Sequence, residues 1–286
     1  MNMTCLYDCH IHMVLDGVDW KQAIARHSGT PDDRFIHNVL ARYQQDGYVY
    51  LRDGGDRWGA GKRARELATQ YGIRYRTPLS PLCHSGHYGG FIGEKYENFK
   101  EYQSLVEKMR KNGADFIKIM ISGLMDFDRF GVLSEPGLPA SEIKELIHIA
   151  HEEGFAVMAH ANGARTAEAA AIAGVDSIEH GAYLDTDALA AMAENGTVWV
   201  PTLSAIANLQ GKGRFDDRAV TAIAASSGEN LRQFAAMGGL MACGSDAGAW
   251  AVPHGCNTEY NLLCHALGPG ADAYIQAGNQ RILEKF

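Results

Sequence analysis

Six side chains able to hold a divalent metal or move a proton fall in short apolar runs: His10 and His12 in DCHIH, Lys118 in FIKIMIS, His160 in FAVMAH, His180 in SIEH and Asp246 in GSD. Side chains two apart on a strand point to the same face, so His10 and His12 look into one space. Neutral imidazole nitrogens suit zinc and similar ions, while a carboxylate adds charge and can accept a proton. Taken singly, a histidine is more often a core or surface residue than a ligand; what points to a metal centre is the placing of several at successive strand ends. Lys118 is the odd member. An ammonium facing inward among metal ions suffers both desolvation and like-charge repulsion, so it must be modified or paired with an acid.

Positioning these residues requires a repeating frame. Strand-type runs are predicted at 4–12, 48–53, 73–80, 116–122, 155–160, 177–180, 197–202 and 240–246, each followed by a segment with helical spacing. The clearest helices are 61–72, 141–154 and 164–174, each running up to a glycine, and LDTDALAAMAENG repeats the pattern. Eight β-then-α units favour a parallel (β/α)8 TIM barrel over an open sheet, and 286 residues fit one such domain, 1–286, with no Pro-, Ser- or Gly-rich linker dividing it. The stretches 81–97 and 123–139 then become long loops at the C-terminal mouth, where barrel active sites lie.

In this order, DCHIH, FIKIMISG, VMAHANG, SIEHGAYLD and GSDAG resemble the metal-binding stations of the amidohydrolase superfamily. YLRDGG, CHSGHYGG, AHANGARTAEAAAIAGVDSIEHGAYLD and VWVPTL are similar to its imidazolonepropionase-like and Xaa-Pro dipeptidase-like branch. The resemblance implies two divalent ions, zinc the expected metal. His10, His12 and Asp246 would hold one, His160 and His180 the second, and Lys118, carboxylated by carbon dioxide, would bridge them. Such a pair lowers the pKa of a shared water toward neutrality and polarises a carbonyl, with Asp246 as general acid/base. The implied reaction is metal-dependent hydrolysis of an amide-like C–N bond, a dipeptide or N-acyl amino acid being the first substrate class. Cyclic amides, lactones and carbamates remain open, as does hydrolytic deamination, although deaminases of the superfamily usually lack the strand-four lysine. A non-catalytic barrel ranks last, since all six ligands are present. Only nine residues precede His10, so the barrel is expected without the flanking β-sandwich that relatives carry.

Other residues carry weaker signals. His87 in CHSGHYGG matches a loop histidine that contacts substrate in the resembling branch and reads equally well as a solvated loop residue, and Tyr183 in EHGAYLD reads either as a hydroxyl placed near the scissile carbonyl or as an aromatic packing over the rim. His84 and His254 align less clearly, and Arg52 with Asp53 reads equally well as a buried ion pair. Asp8 shares the parity of His10, either as an acceptor for a ligand imidazole or as partner to a deeper polar group. His148 and His151 read as ordinary helix residues, and Cys5 and Cys9, of opposite parity to the histidines, as packing thiols facing the helices. A formal charge of -8 argues against a nucleic-acid partner and favours a small-molecule one. Six cysteines without disulfide-scaffold spacing, no signal-type N-terminus and no membrane-length apolar run lead to an expected cytoplasmic, non-membrane protein. A homo-oligomer is left open.

Overall fold

Alternation of short apolar runs with amphipathic segments yields an α/β fold in which every paired strand is parallel. A computed structural model describes residues 6–286. In it β1 (Leu6–Ile11), β2 (Tyr48–Asp53) and β3 (Arg74–Arg76) form one sheet in the order β1-β2-β3. A second sheet contains β4 (Leu82–His84), β5 (Glu94–Tyr96), β6 (Ile117–Met120), β7 (Val157–Ala161), β8 (Ser177–His180), β9 (Val198–Val200) and β10 (Leu240–Met241), in the order β10-β9-β8-β7-β6-β4-β5. Backbone hydrogen bonds link the sheets at two places. On one side Cys9 N donates to Cys243 O at 2.8 Å, while Asp246 N donates to His10 O and His12 N to Ala247 O, each at 2.7 Å; on the other, Asp115 N donates to Thr77 O at 3.0 Å.

Two strand expectations are corrected. The run 73–80 breaks after Arg76, because Pro78 has no N–H to give the ladder and Leu79 turns the chain with a φ of 65°. The stretch 81–97, expected as loop, then supplies β4 and β5, and β4 pairs with β6, the strand that carries Lys118. The run 240–246 keeps only Leu240–Met241 in the ladder, after which residues 243–247 follow β1 by the spaced bonds just described. Gly244 makes that approach feasible, since a Cβ there would meet the Val200 side chain and lie 2.8 Å from His10 N.

The helices Ala60–Ala68, Ala140–Glu152, Ala164–Ile172 and Thr186–Glu194 stand where their periodicity predicts. Outward-facing Ile117, Ile119 and Ile121 pack against Ile143, Leu146 and Ile147 of the helix Ala140–Glu152, all fully or nearly fully buried. Each such side chain contributes roughly 1.5–3 kcal/mol, which holds the opposite, inward parity of β6 (Lys118, Met120) toward the interior. Below Lys118, Phe116, Met158, Tyr50 and Phe286 make an apolar floor. Among the described residues no helix is long and apolar enough to cross a membrane.

Candidate metal centre

Strand ends set the geometry. His10 lies within β1 and His12 one step past it, Lys118 within β6, His160 within β7, His180 at the end of β8, and Asp246 on the segment beyond β10. Asp246 Oδ1 is 3.2 Å from His12 Nε2 and 3.6 Å from His10 Nε2, and the two Nε2 atoms are 3.3 Å apart. His10, His12 and Asp246 therefore offer three ligand atoms within 4.8 Å of one another, a spacing that fits a divalent ion. Lys118 Nζ lies 3.1 Å from His10 Nε2. The rings continue from His12 to His10, His180 and His160 with centroid separations of 5.2, 5.1 and 4.6 Å, so all six predicted ligands meet in one buried cluster.

Three of the four imidazoles are also held from behind, whereas His12 Nδ1 is buried without a hydrogen-bond partner. His10 Nδ1 is 2.6 Å from Glu179 Oε2, and a carboxylate only accepts, so Nδ1 carries the proton and Nε2 faces the centre. His160 Nε2 donates to Gly123 O at 3.2 Å, which leaves Nδ1 free. His180 Nδ1 lies 2.8 Å from Thr202 Oγ1, a contact that occupies Nδ1 and leaves Nε2 free. Burial keeps these rings neutral: it pushes His160 down to about 3, and His10 and His180 well below the ordinary histidine range. Neutral rings are what a metal requires. Burial also lowers Lys118 to about 8, against the opposing pull of Glu179 and Asp246. Backbone strain gathers here, with left-handed φ at His180 (67°), Tyr183 (60°), Thr202 (49°) and Asp246 (60°).

The family model described as "Amidohydrolase family" matches residues 56–266. The chain belongs to the amidohydrolase family. Ochratoxinase of Aspergillus niger is 26% identical to this amidohydrolase over 241 residues, covering 71% of the chain and 48% of the relative. The chain thus spans about half the length of that curated relative. An uncharacterised protein of Mycobacterium tuberculosis is 41% identical over 69 residues, 24% of this chain and 19% of its own. Among solved structures, a Xaa-Pro dipeptidase with bound methionine in its active site superposes with a TM-score of 0.80 at 23% identity, covering 98% of this chain and 75% of that one. The A. niger ochratoxinase structure gives 0.77 at 21% identity, over 97% of this chain and 70% of that one.

The weaker candidates of this amidohydrolase separate in the structure. His87 sits in the segment after β4, its Nδ1 3.7 Å from Glu135 Oε1, and Tyr183 meets Phe130 edge-on at 5.4 Å. His84 packs between His87 and Tyr96. His254 is structural: its Nε2 donates to Leu15 O at 3.0 Å and Tyr43 Oη lies 3.2 Å from its Nδ1. The Arg52–Asp53 ion pair is not formed. Neighbours on a strand point to opposite faces, so Arg52 reaches Glu179 while Asp53 accepts from Met13 N and Thr77 Oγ1. Asp8 holds Ser245 through both its N (2.8 Å) and its Oγ (2.6 Å) rather than a ligand imidazole. His148 is exposed, and His151 pairs with Asp176 at 3.0 Å. Cys9 faces the helix Ala271–Lys285, where Asn279 Oδ1 lies 3.7 Å from its Sγ; Cys5 lies outside the described residues. Sequence reasoning missed Glu179, Thr202 and Tyr88, whose ring lies 4.8 Å from that of His160. The Glu beside His180 in SIEH was the available signal for the first.

Proposed function

We propose that this amidohydrolase is a metal-dependent hydrolase of an amide-like C–N bond in a small molecule, with a dipeptide or N-acyl amino acid as substrate and a (β/α)8 barrel as its frame. The convergence of His10, His12, Lys118, His160, His180 and Asp246 in one buried cluster carries this reading. The backbone bonds joining β1 to residues 243–247 and Thr77 to Asp115 support barrel closure, and the Xaa-Pro dipeptidase likeness supports the dipeptide class.

His10, His12 and Asp246 would hold one divalent ion, zinc being the expected metal, and His160 with His180 a second. Bound there, the ions supply a water of lowered pKa and polarisation of the substrate carbonyl. Lys118, lowered to about 8 by burial, presents a large enough neutral-amine fraction at neutral pH to attack carbon dioxide. The neutral amine nitrogen forms a C–N bond to the carbon of carbon dioxide, a C=O π pair moves onto oxygen, the nitrogen loses one proton to solvent, and the resulting carbamate would offer its oxygens as metal ligands. Asp246 would take the proton from the attacking water and pass it to the leaving nitrogen. Tyr88 and Tyr183 supply apolar faces with polar tips at the rim, and His87 a loop contact for substrate.

Two measurements test the proposal. Protein purified without chelator should contain close to stoichiometric divalent metal, and Lys118→Ala should lose both that metal and hydrolysis in a screen of dipeptides, N-acyl amino acids, lactams and lactones. Trace metal in the parent, or unchanged metal in the variant, defeats the binuclear reading. Asp246→Asn should keep part of its metal while kcat falls about 10²- to 10⁴-fold; retained turnover removes Asp246 from proton transfer.

A further inference from the structure

Glu179 and Arg52 are both fully buried, and since apolar replacements of such a pair are often neutral or stabilising, the pair is weak evidence of a purely stabilising role. Their hydrogen bonds are divided in a way that bears on the ligand. Glu179 Oε1 takes Arg52 Nη2 at 2.8 Å and Ser177 Oγ at 2.6 Å, leaving Oε2 for His10 Nδ1 at 2.6 Å. Arg52 Nε donates to Cys9 O at 2.7 Å, the carbonyl immediately before His10 on β1. One guanidinium thus grips both the backbone that carries His10 and the carboxylate that orients its ring. Beneath it the Phe286 ring lies 4.4 Å from Arg52 Cζ and the Phe116 ring 5.9 Å away, so the planar fork is stacked as well as bonded.

We infer that Glu179, locked by Arg52 over the Phe286 ring, is a positioning residue that fixes His10 in its Nδ1–H tautomer and turns Nε2 into the metal centre. The inference rests on the metal-hydrolase reading for its purpose but not for its geometry. A carboxylate that accepts from a ligand imidazole sets the tautomer and raises the basicity of the other nitrogen, and losing such a partner typically costs about 10- to 100-fold in metal affinity.

The test is ¹⁵N NMR of the imidazoles in metal-free protein, with the His10 signal assigned by its loss in His10→Ala, alongside cobalt titration against a competing chelator. The parent should show Nδ1–H at His10. Glu179→Gln should mix the tautomers and weaken cobalt binding about 10- to 100-fold, with an unchanged circular dichroism spectrum. Ser177→Ala, which spares the Oε2 contact, should leave the tautomer alone. If Glu179→Gln does not fold, Glu179→Ala removes the acceptor outright and the same mixing is expected there, while Arg52→Lys, which keeps the carboxylate but removes the fork, should retain Nδ1–H and weaken cobalt binding by a smaller factor. A pure Nδ1–H signal and parental cobalt affinity in the folded Glu179 variant overturn the inference. A parent that binds no metal, yet loses its tautomer in Glu179→Gln, sinks the hydrolase reading and leaves the positioning role standing.

Discussion

The cluster has two halves that are assembled differently. His160 and His180 stand on β7 and β8, neighbours in a continuous parallel ladder, and each ring is pinned by one oxygen, Gly123 O or Thr202 Oγ1. His10, His12 and Asp246 instead meet where two distant chain segments touch, joined by three spaced backbone bonds rather than a ladder. Side chains brace that seam. Asp8 holds Ser245, Ser204 Oγ lies 2.7 Å from Ser245 O, and buried Glu259 accepts from Leu203 N, Ser204 N and Ser204 Oγ. The tightest ligand trio therefore sits where the backbone is least regular and is braced by side chains across the seam, while on the ladder side buried Asn162 and Ser122 brace the Gly123 segment beside a regular sheet.

The sharpest way to break the two halves apart is Gly244→Ala. Its Cβ would lie 2.8 Å from His10 N and 2.9 Å from His10 Cβ, and a backbone atom cannot swing aside as a side-chain tip can. The seam must open. Overpacking of this kind costs about 1–3 kcal/mol, and the trio should lose its metal while His160 and His180 keep their places. Cobalt titration should show the stronger binding event abolished, with turnover at background. Loss of binding at both halves together would show that the ladder side does not stand alone.

This asymmetry also governs how much was legible in the sequence. The candidate ligands were readable from residue type and their placing at strand ends, His10, His12, Lys118 and His160 at regular positions and His180 and Asp246 at left-handed ones. Glu179 was hidden by strand parity, because consecutive residues on a regular strand face opposite ways. A left-handed φ of 67° at His180 breaks the alternation and lets both Glu179 and His180 reach the interior. Likewise Arg52 beside Asp53 suggests a local pair, whereas pleating sends one to Glu179 and the other to Thr77. The eight-unit alternation predicted the helices well, but Pro78 split the third strand and recruited β4 and β5 from what reads as loop. Seam contacts join residues more than two hundred positions apart, such as Asp8 and Ser245, and no local pattern announces them.

On the ladder side the corresponding change is gentler. Thr202→Val removes the hydroxyl that lies 2.8 Å from His180 Nδ1 and keeps the branched shape. The ring is then free to rotate, and affinity at the second metal position should fall about 10-fold without loss of the trio's site. Stoichiometry read at low and high metal should separate the two. An equal loss at both positions would mean that the halves are coupled through Lys118 rather than independently built.

A third effect concerns pH and is read in stability rather than in metal affinity. Burial lowers His254 from its ordinary 6.5 to about 4, so the unfolded chain takes up a proton before the folded one does. Its contribution is complete above pH 6.5 and is lost as pH falls through 4, amounting to about 2 kcal/mol by pH 5. Glu259 runs the other way. Burial raises it from 4.5 to about 7, so its contribution is complete below pH 4.5 and is lost as pH rises through 7. Between pH 4.5 and 6.5 the two slopes oppose each other, and the parent should show little net dependence from this pair. His254→Gln removes one slope alone. Urea unfolding should find the variant less stable than the parent at pH 7, where it loses the bond to Leu15 O, with the gap narrowing by about 2 kcal/mol at pH 5. Glu259→Gln should narrow or widen in the opposite sense. An unchanged gap for His254→Gln would mean that His254 takes up its proton at the same pH folded and unfolded, and would take it out of the set of buried groups on which the seam's stability depends.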